Sequence, residues 1–304
     1  MSDIIFMNGK YIDSNKATVS IKTHALLYGT SVFEGIRAYY NEEHEQMYVF
    51  RAKEHYQRLL NSAKILHIKS PYSIDEYMSQ TIELIKKNKY KKDVYIRPTL
   101  YKSTQTICPG LNNTEDGYFA FTIPFGDYYD MQKGLNLCVS SWRRTSDNAI
   151  PPRAKIAGAY ANAALINTDA HNFGFDDAIV LSENGQVTEG SAMNIMFIQS
   201  GKLITTKTTD DILVGVTRNT IIDLAKDLGI EVIERDIDRS ELYIMDEAFV
   251  CGTGAQITPV SSIDKRQIGN GEMGKITAQL QKLYFDVVKG KVTKYKNWCV
   301  GVYD

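Results

Sequence analysis

Pro151-Pro152-Arg153-Ala154-Lys155-Ile156-Ala157-Gly158-Ala159-Tyr160 is the stretch on which the reading turns. Two prolines and several small residues place one lysine, Lys155, just before a helical pattern begins. Its neighbours Ala154 and Ile156 are apolar, and burying an ammonium is costly unless the group gives up its proton or gains a partner. An unprotonated, desolvated amine is what Schiff-base chemistry needs. A surface lysine at a loop–helix junction carries the same local signature, so the surroundings must decide.

Working outward toward the C-terminus, residues 157–171 read as the helix that follows the lysine loop, and 135–142 as the strand before it. Residues 178–206 read as a β-meander of four strands with turns at Asn184-Gly185 and Ser200-Gly201. Residues 217–228 carry Ile221, Leu224, Ala225 and Leu228 on one helical face, ended by Gly229. A strand over 231–237, a short helix near 240–245, two strands about a glycine-rich turn in 247–260 and a helix over 274–288 complete this part.

Toward the N-terminus, Asn8-Gly9 marks a hairpin over residues 4–13. The second half of 24–40 is strand-like, and 47–50 pairs beside it. Residues 51–66 are helical, with Ala52, Tyr56, Leu59, Leu60 and Ala63 as the buried stripe. A second helix spans 74–88 behind Ser73 as its cap. Strands follow at 93–101 and 118–124. The division expected is a small α/β domain over 1–123, a linker over 124–134 where periodicity breaks, and a larger domain over 135–304. The class is α+β.

Composition excludes several functions. With 304 residues, 43 % hydrophobic and 23 % charged, the chain is of ordinary globular make-up. A net charge of -1 gives no electrostatic case for nucleic acid or an anionic membrane. No apolar run approaches the length of a transmembrane helix, and the opening residues lack a secretion-signal pattern. The four cysteines, Cys108, Cys138, Cys251 and Cys299, are widely spaced. They suggest neither disulfides nor a zinc site, and a cytoplasmic setting is expected.

Five features could carry chemistry, and each also has a plain structural reading. Gly252-Thr253-Gly254 is a turn that could offer amides to an anion, or simply a β-turn. Gly215-Val216-Thr217-Arg218 opens a helix whose free amides attract phosphate, unless Thr217 merely caps it. Arg58 sits beside the first helix's apolar stripe, where a solvated charge is the simplest account. Glu189, at a strand end, is an exposed carboxylate or, if buried, must meet a cation. Arg37 and Arg97 lie on tyrosine-rich strands with partners the sequence does not name. Together a lysine, a carboxylate, two phosphate-binding turns and an arginine, all but the arginine in the second domain, are the kit for pyridoxal phosphate.

At this point the chain resembles the branched-chain amino acid aminotransferases, of the fold-type IV (D-amino-acid aminotransferase-like) pyridoxal phosphate class, from about residue 5 to 290. The carrying motifs are Tyr28-Gly-Thr-Ser-Val-Phe-Glu-Gly-Ile-Arg37, Glu54-His-Tyr-Gln-Arg-Leu59, Tyr95-Ile-Arg-Pro98, Lys155 with Gly158 and Tyr160, Thr188-Glu-Gly190, Leu213-Val-Gly-Val-Thr-Arg218 and Gly252-Thr-Gly-Ala-Gln-Ile-Thr-Pro259. The resemblance implies two domains, the larger with a β-meander or barrel-like core, and a homodimer at least. It makes Lys155 the Schiff-base lysine, Glu189 the partner of the pyridine nitrogen and Tyr160 the partner of the ring's phenolic oxygen. Arg58, Val216, Thr217 and Thr253 match the phosphate cup, and Leu213 the residue on the ring face. Tyr28, Tyr95, Arg97 and Gly252 to Gly254 match positions around the substrate carboxylates. Phe33, Gly35, Arg37, Phe125 and Tyr128 match the side-chain pocket and the loop over it. Phe125 replaces a tryptophan frequent among bacterial relatives. Gly254 and Gln256 replace the alanine and glutamate of the family's usual turn.

The activity implied is amino transfer between leucine, isoleucine or valine and 2-oxoglutarate, with ping-pong kinetics and without a metal. A D-amino-acid or (R)-amine transaminase, or an aminodeoxychorismate lyase, would keep Lys155 and Glu189. A non-catalytic cofactor-binding protein is the reading from another class.

Overall fold

The structure is a computed structural model and describes residues 3–303. Its chain forms two compact units. The first takes the chain up to Gly126, the segment Ala154–Gly158 and the chain from Asp286 on; the second takes Asp127–Arg153 and Ala159–Phe285.

In the first unit, β1 (Ile4–Met7) and β2 (Lys10–Asp13) form the expected hairpin, with Asn8 and Gly9 at φ 45° and 86° in the left-handed conformation such turns require. A one-turn helix, α1 (His24–Tyr28), precedes β3 (Ser31–Phe33), β4 (Ile36–Asn41) and β5 (Gln46–Phe50). Helix α2 (Ala52–Ile65) buries Ala52, Tyr56, Leu59 and Ala63 as its periodicity predicts. Two polar side chains, His55 and Ser62, lie on that same buried face. Helix α3 (Ile74–Asn88) starts in a capping box between Ser73 and Glu76. The long pair β6 (Val94–Lys102) and β7 (Asp116–Pro124) completes this stretch.

Several tyrosines fill the first unit's core, Tyr56, Tyr77 and Tyr118 among them. Tyr56 stacks on Tyr77 at 5.1 Å, and Tyr118 tilts against Tyr77 at 4.8 Å. The hydroxyls of Tyr56 and Tyr77 find protein partners in Thr81 and Ser70, which offsets the cost of burying those two phenols.

The second unit holds β8 (Leu135–Arg143), α4 (Tyr160–Asn172), β9 (Asp177–Leu181), β10 (Val187–Gly190), β11 (Asn194–Gln199), β12 (Lys202–Thr205), α5 (Val216–Asp227), β13 (Val232–Glu234), β14 (Glu247–Gly252), β15 (Gln256–Ile263) and β16 (Arg266–Gln267). Its sheet runs β10-β9-β8-β15-β14-β11-β12-β13, with β16 on β15. Residues 178–206 are therefore two hairpins rather than one continuous meander, for β8, β15 and β14 lie between β9 and β11. Strand β9 is paired by β10 and β8, and β11 by β14 and β12. The edges approach each other, since Val187 N of β10 donates to Ile237 O, just beyond β13. That curl is the barrel-like feature. Its interior is apolar, with Leu137, Ile179, Ile195, Phe197, Val250 and Ile263 among the core residues.

Helix α6 (Lys275–Val288) is capped by the Glu247 carboxylate, which accepts from Thr277 N at 2.8 Å. The chain then returns to the first sheet as β17 (Cys299–Gly301), giving the order β17-β5-β4-β6-β7-β1-β2 with β3 on β6. Among the described residues no helix is long and apolar enough to cross a membrane.

Candidate active site

Lys155 sits in the first unit, half-buried between Ala154 and Ile156, which are buried. Local sequence does not signal this grouping. It follows from backbone bonds: Lys155 N donates to Ser62 Oγ at 3.0 Å, and Phe33 N donates to Lys155 O at 3.1 Å. A little further on, Gly158 N donates to Gly29 O. The two glycines touch backbone to backbone, for a Cβ on Gly29 would stand 2.7 Å from Gly158 Cα.

From the lysine a continuous set of contacts runs through the first unit. Lys155 Nζ lies 5.1 Å from the Phe33 ring centroid, and Arg97 Cζ lies 4.2 Å from the same centroid. Arg97 donates from Nε and Nη2 to Tyr95 Oη at 3.1 and 2.8 Å. The Tyr95 ring leans on Phe125 at 5.3 Å. Arg37 in turn faces Phe125 and donates to the carbonyls of Phe125 and Gly126 at 3.0 and 2.8 Å. Gly35 has to be glycine here, because a Cβ would run into Tyr95 Oη. Tyr28 is on α1 against the His24 ring and is exposed.

Arg58 is no solvated charge. Its guanidinium clasps Glu34 in bidentate fashion, Nε to Oε1 at 2.6 Å and Nη2 to Oε2 at 2.8 Å. Glu34 is fully buried, and His55 Nδ1 lies 2.8 Å from its Oε2. Burial alone would raise the Glu34 carboxyl, but the charge and hydrogen bonds of Arg58, with the bond from His55, hold it well below the usual range. Burial lowers the His55 ring more than Glu34 raises it. A neutral His55 therefore donates from Nδ1 to an ionised Glu34.

In the second unit, Glu189 on β10 is buried, and it has met its cation. Arg144 Nη2 stands 2.6 Å from Glu189 Oε1, and Asn194 Nδ2 donates to Oε2 at 2.9 Å. Asn194 also donates to Leu213 O at 3.0 Å, while Leu213 N points at Glu189 Oε1. This ties the carboxylate to the start of α5. That helix begins at Val216, one residue earlier than read, with Gly215 as its cap and no side-chain capping bond. Thr217 is thus not the cap, and Val216 and Thr217 supply first-turn amides. A Cβ on Gly215 would strike Asn194 Oδ1, which explains the glycine. Arg218 next to them is committed to Glu234 and Thr206 O.

Gly252 ends β14 and pairs with Gln256, so Thr253, Gly254 and Ala255 form the turn. Around Gly254 a Cβ would meet nothing within 4 Å. Tyr160 is the first residue of α4. Tyr128 is 57 % exposed, edge-on to Tyr129.

The sequence model of the amino-transferase class IV family matches residues 31–263. The chain belongs to that family. Among curated relatives, it is 48 % identical to a probable branched-chain-amino-acid aminotransferase of Aquifex aeolicus, over 99 % of this chain and 97 % of that one. Among solved structures, the branched-chain aminotransferase of Thermoproteus uzoniensis with norvaline superposes with a TM-score of 0.96 at 40 % identity, covering both chains completely. The Thermobaculum terrenum branched-chain amino acid aminotransferase in its PLP form gives 0.96 at 37 %, covering 100 % of this chain and 99 % of that one. The fold is that of the fold-type IV aminotransferases.

For a class IV amino-transferase, the residues sequence reasoning passed over are Glu34, His55, Arg144 and Asn194. His55 and Ser62 did leave a signal, being polar side chains inside an apolar helical stripe. Arg144 left none, since its partner Glu189 is far along the chain.

Proposed function

We propose that this chain is a transaminase that exchanges the amino group between branched-chain L-amino acids and 2-oxoglutarate, with pyridoxal phosphate bound at Lys155. The observation that carries the reading is likeness over essentially the whole chain to enzymes named branched-chain aminotransferases. The residues suit the cofactor. Glu189 is a buried carboxylate beside Arg144, and a carboxylate oxygen is the acceptor that a protonated ring nitrogen needs. The first turn of α5 lacks a side-chain cap, and its amides suit a phosphate.

Pyridoxal phosphate supplies, when bound, an aldehyde for the amine and a protonated ring that accepts electrons from the substrate. Lys155 Nζ would hold it between turnovers and, once released, would serve as the base that takes the proton from the substrate α-carbon and gives it back. Glu189 holds the proton at the ring nitrogen, and Tyr160 donates to the phenolic oxygen. Arg58, the amides of Val216 and Thr217, and Thr253 bind the phosphate, while Leu213 packs on the ring. Tyr28, Tyr95, Arg97 and the Gly252–Gly254 turn orient the substrate carboxylates. Phe33, Gly35, Arg37 and Phe125 of the first unit would meet the substrate side chain, as would Tyr128 of the second, with Arg97 to neutralise the distal carboxylate of 2-oxoglutarate.

A homodimer in the cytoplasm is part of the reading. Ile21, Leu26, Leu27 and Ile107 are exposed in the first unit, and a second copy would be one way to cover them. All four cysteines are free thiols, as a reducing compartment would keep them. Supplying L-leucine, L-isoleucine, L-valine, D-alanine and an (R)-amine separately with 2-oxoglutarate tests the reading. The three branched L-amino acids should be used, and preference for D-alanine or the amine would refute it.

A further inference from the structure

Alternate residues of one loop are tethered. Asp127 Oδ1 accepts from Gln256 Nε2 at 3.1 Å. Tyr129 Oη donates to Asp177 Oδ2 at 2.9 Å, and Asp177 is itself buried. Met131 O accepts from Gln281 Nε2 at 3.1 Å, and Met131 Sδ from Thr258 Oγ1 at 3.5 Å. Residues 127, 129 and 131 are each held in this way, and the exposed Tyr128, edge-on to Tyr129, lies among them.

Gln256 is unusual among these anchors. It is almost completely buried, yet its φ is 53°, a left-handed conformation that costs a non-glycine residue on the order of 1 kcal/mol. It is also the residue that closes the Gly252–Ala255 turn, as the partner of Gly252. One side chain therefore joins the turn read above as binding the substrate carboxylate to the loop that carries Tyr128.

We propose that Gln256 is a positioning residue for substrate binding: through Asp127 it fixes Tyr128 relative to the Gly252–Ala255 turn. This rests on the transaminase reading. A pre-tethered loop spares the substrate the entropy of ordering it, so losing the tether weakens binding rather than chemistry. The pairing is also polar in a defined sense. The amide donates and the carboxylate accepts, so a second carboxylate at position 256 would repel Asp127.

The test uses the pyridoxal phosphate-loaded enzyme and four variants: Gln256→Glu, Asp127→Asn, the two combined, and Gln256→Gly. The glycine variant relieves the left-handed backbone and removes the tether without adding a buried charge. Gln256→Glu and Gln256→Gly should raise KM for L-leucine and 2-oxoglutarate about tenfold, with kcat within about twofold. Chymotryptic cleavage at Tyr128 and Tyr129 should speed up to a similar degree. In the combined variant the roles are exchanged: the new amide at position 127 donates to the new carboxylate at position 256, and both readouts should return toward wild type. Unchanged KM and cleavage in Gln256→Glu, or a combined variant no better than Gln256→Glu, would overturn the proposal. Cleavage needs no substrate, so a tether can stand even where leucine transamination fails, and that failure would count against the reaction alone.

Discussion

Arg144 holds Glu189: its Nη2 lies 2.6 Å from Oε1 of a carboxylate whose side chain is 4 % exposed. A buried carboxylate that is to stay ionised needs such a partner, and Asn194 occupies its other oxygen. Replacing Arg144 by Met leaves an uncompensated buried charge. Urea unfolding should show a loss of about 3 kcal/mol, and titration with pyridoxal phosphate should show weaker binding. An Arg144→Lys variant should recover part of both.

Acid should unfold the first unit in two stages. His55 is held below its ordinary 6.5, so below that pH the unfolded chain takes up a proton that the folded chain refuses, and stability falls. Glu34 is held well below its ordinary 4.5. Its contribution is fully present above 4.5 and is lost as pH falls toward the folded value. Thermal unfolding followed from mildly alkaline to acidic pH should show both declines. Glu34→Gln should be less stable at neutral pH but should lack the lower decline.

The contact of Gly29 with Gly158 should be unforgiving. Gly29→Ala would place a Cβ 2.7 Å from Gly158 Cα and would also force alanine to φ 68°. A loss of about 2 kcal/mol is expected in unfolding experiments. Because the same contact seats the lysine segment, turnover should drop by about a hundredfold.

Arg97 should discriminate between the two substrates. Its guanidinium is oriented by two bonds to Tyr95 Oη, with Phe33 against its face. Arg97→Met should impair 2-oxoglutarate far more than leucine in separate half-reactions. Equal losses on both would sink the assignment.

How far the sequence could be read depended on the range of the interactions. The Asn8-Gly9 hairpin, the Ser73 capping box and the apolar stripe of α2 are local, and they are found where periodicity and turn chemistry put them. The grouping of Ala154–Gly158 with the first unit depends on Ser62, Phe33 and Gly29, which are distant in sequence. The order of strands between β9 and β11 is likewise set by residues that come much later in the chain. Arg58 and Glu189 looked exposed because their partners, Glu34 and Arg144, cannot be inferred from neighbours. The alternating tethers of Asp127, Tyr129 and Met131 lie in a segment that reads only as a break in periodicity.

Glutamate formation from L-leucine and 2-oxoglutarate tests the proposed role of Lys155 in transamination. The pyridoxal phosphate-loaded protein should turn over, and Lys155→Ala should be slower by about a thousandfold or more. Equal glutamate formation by the two proteins would contradict it.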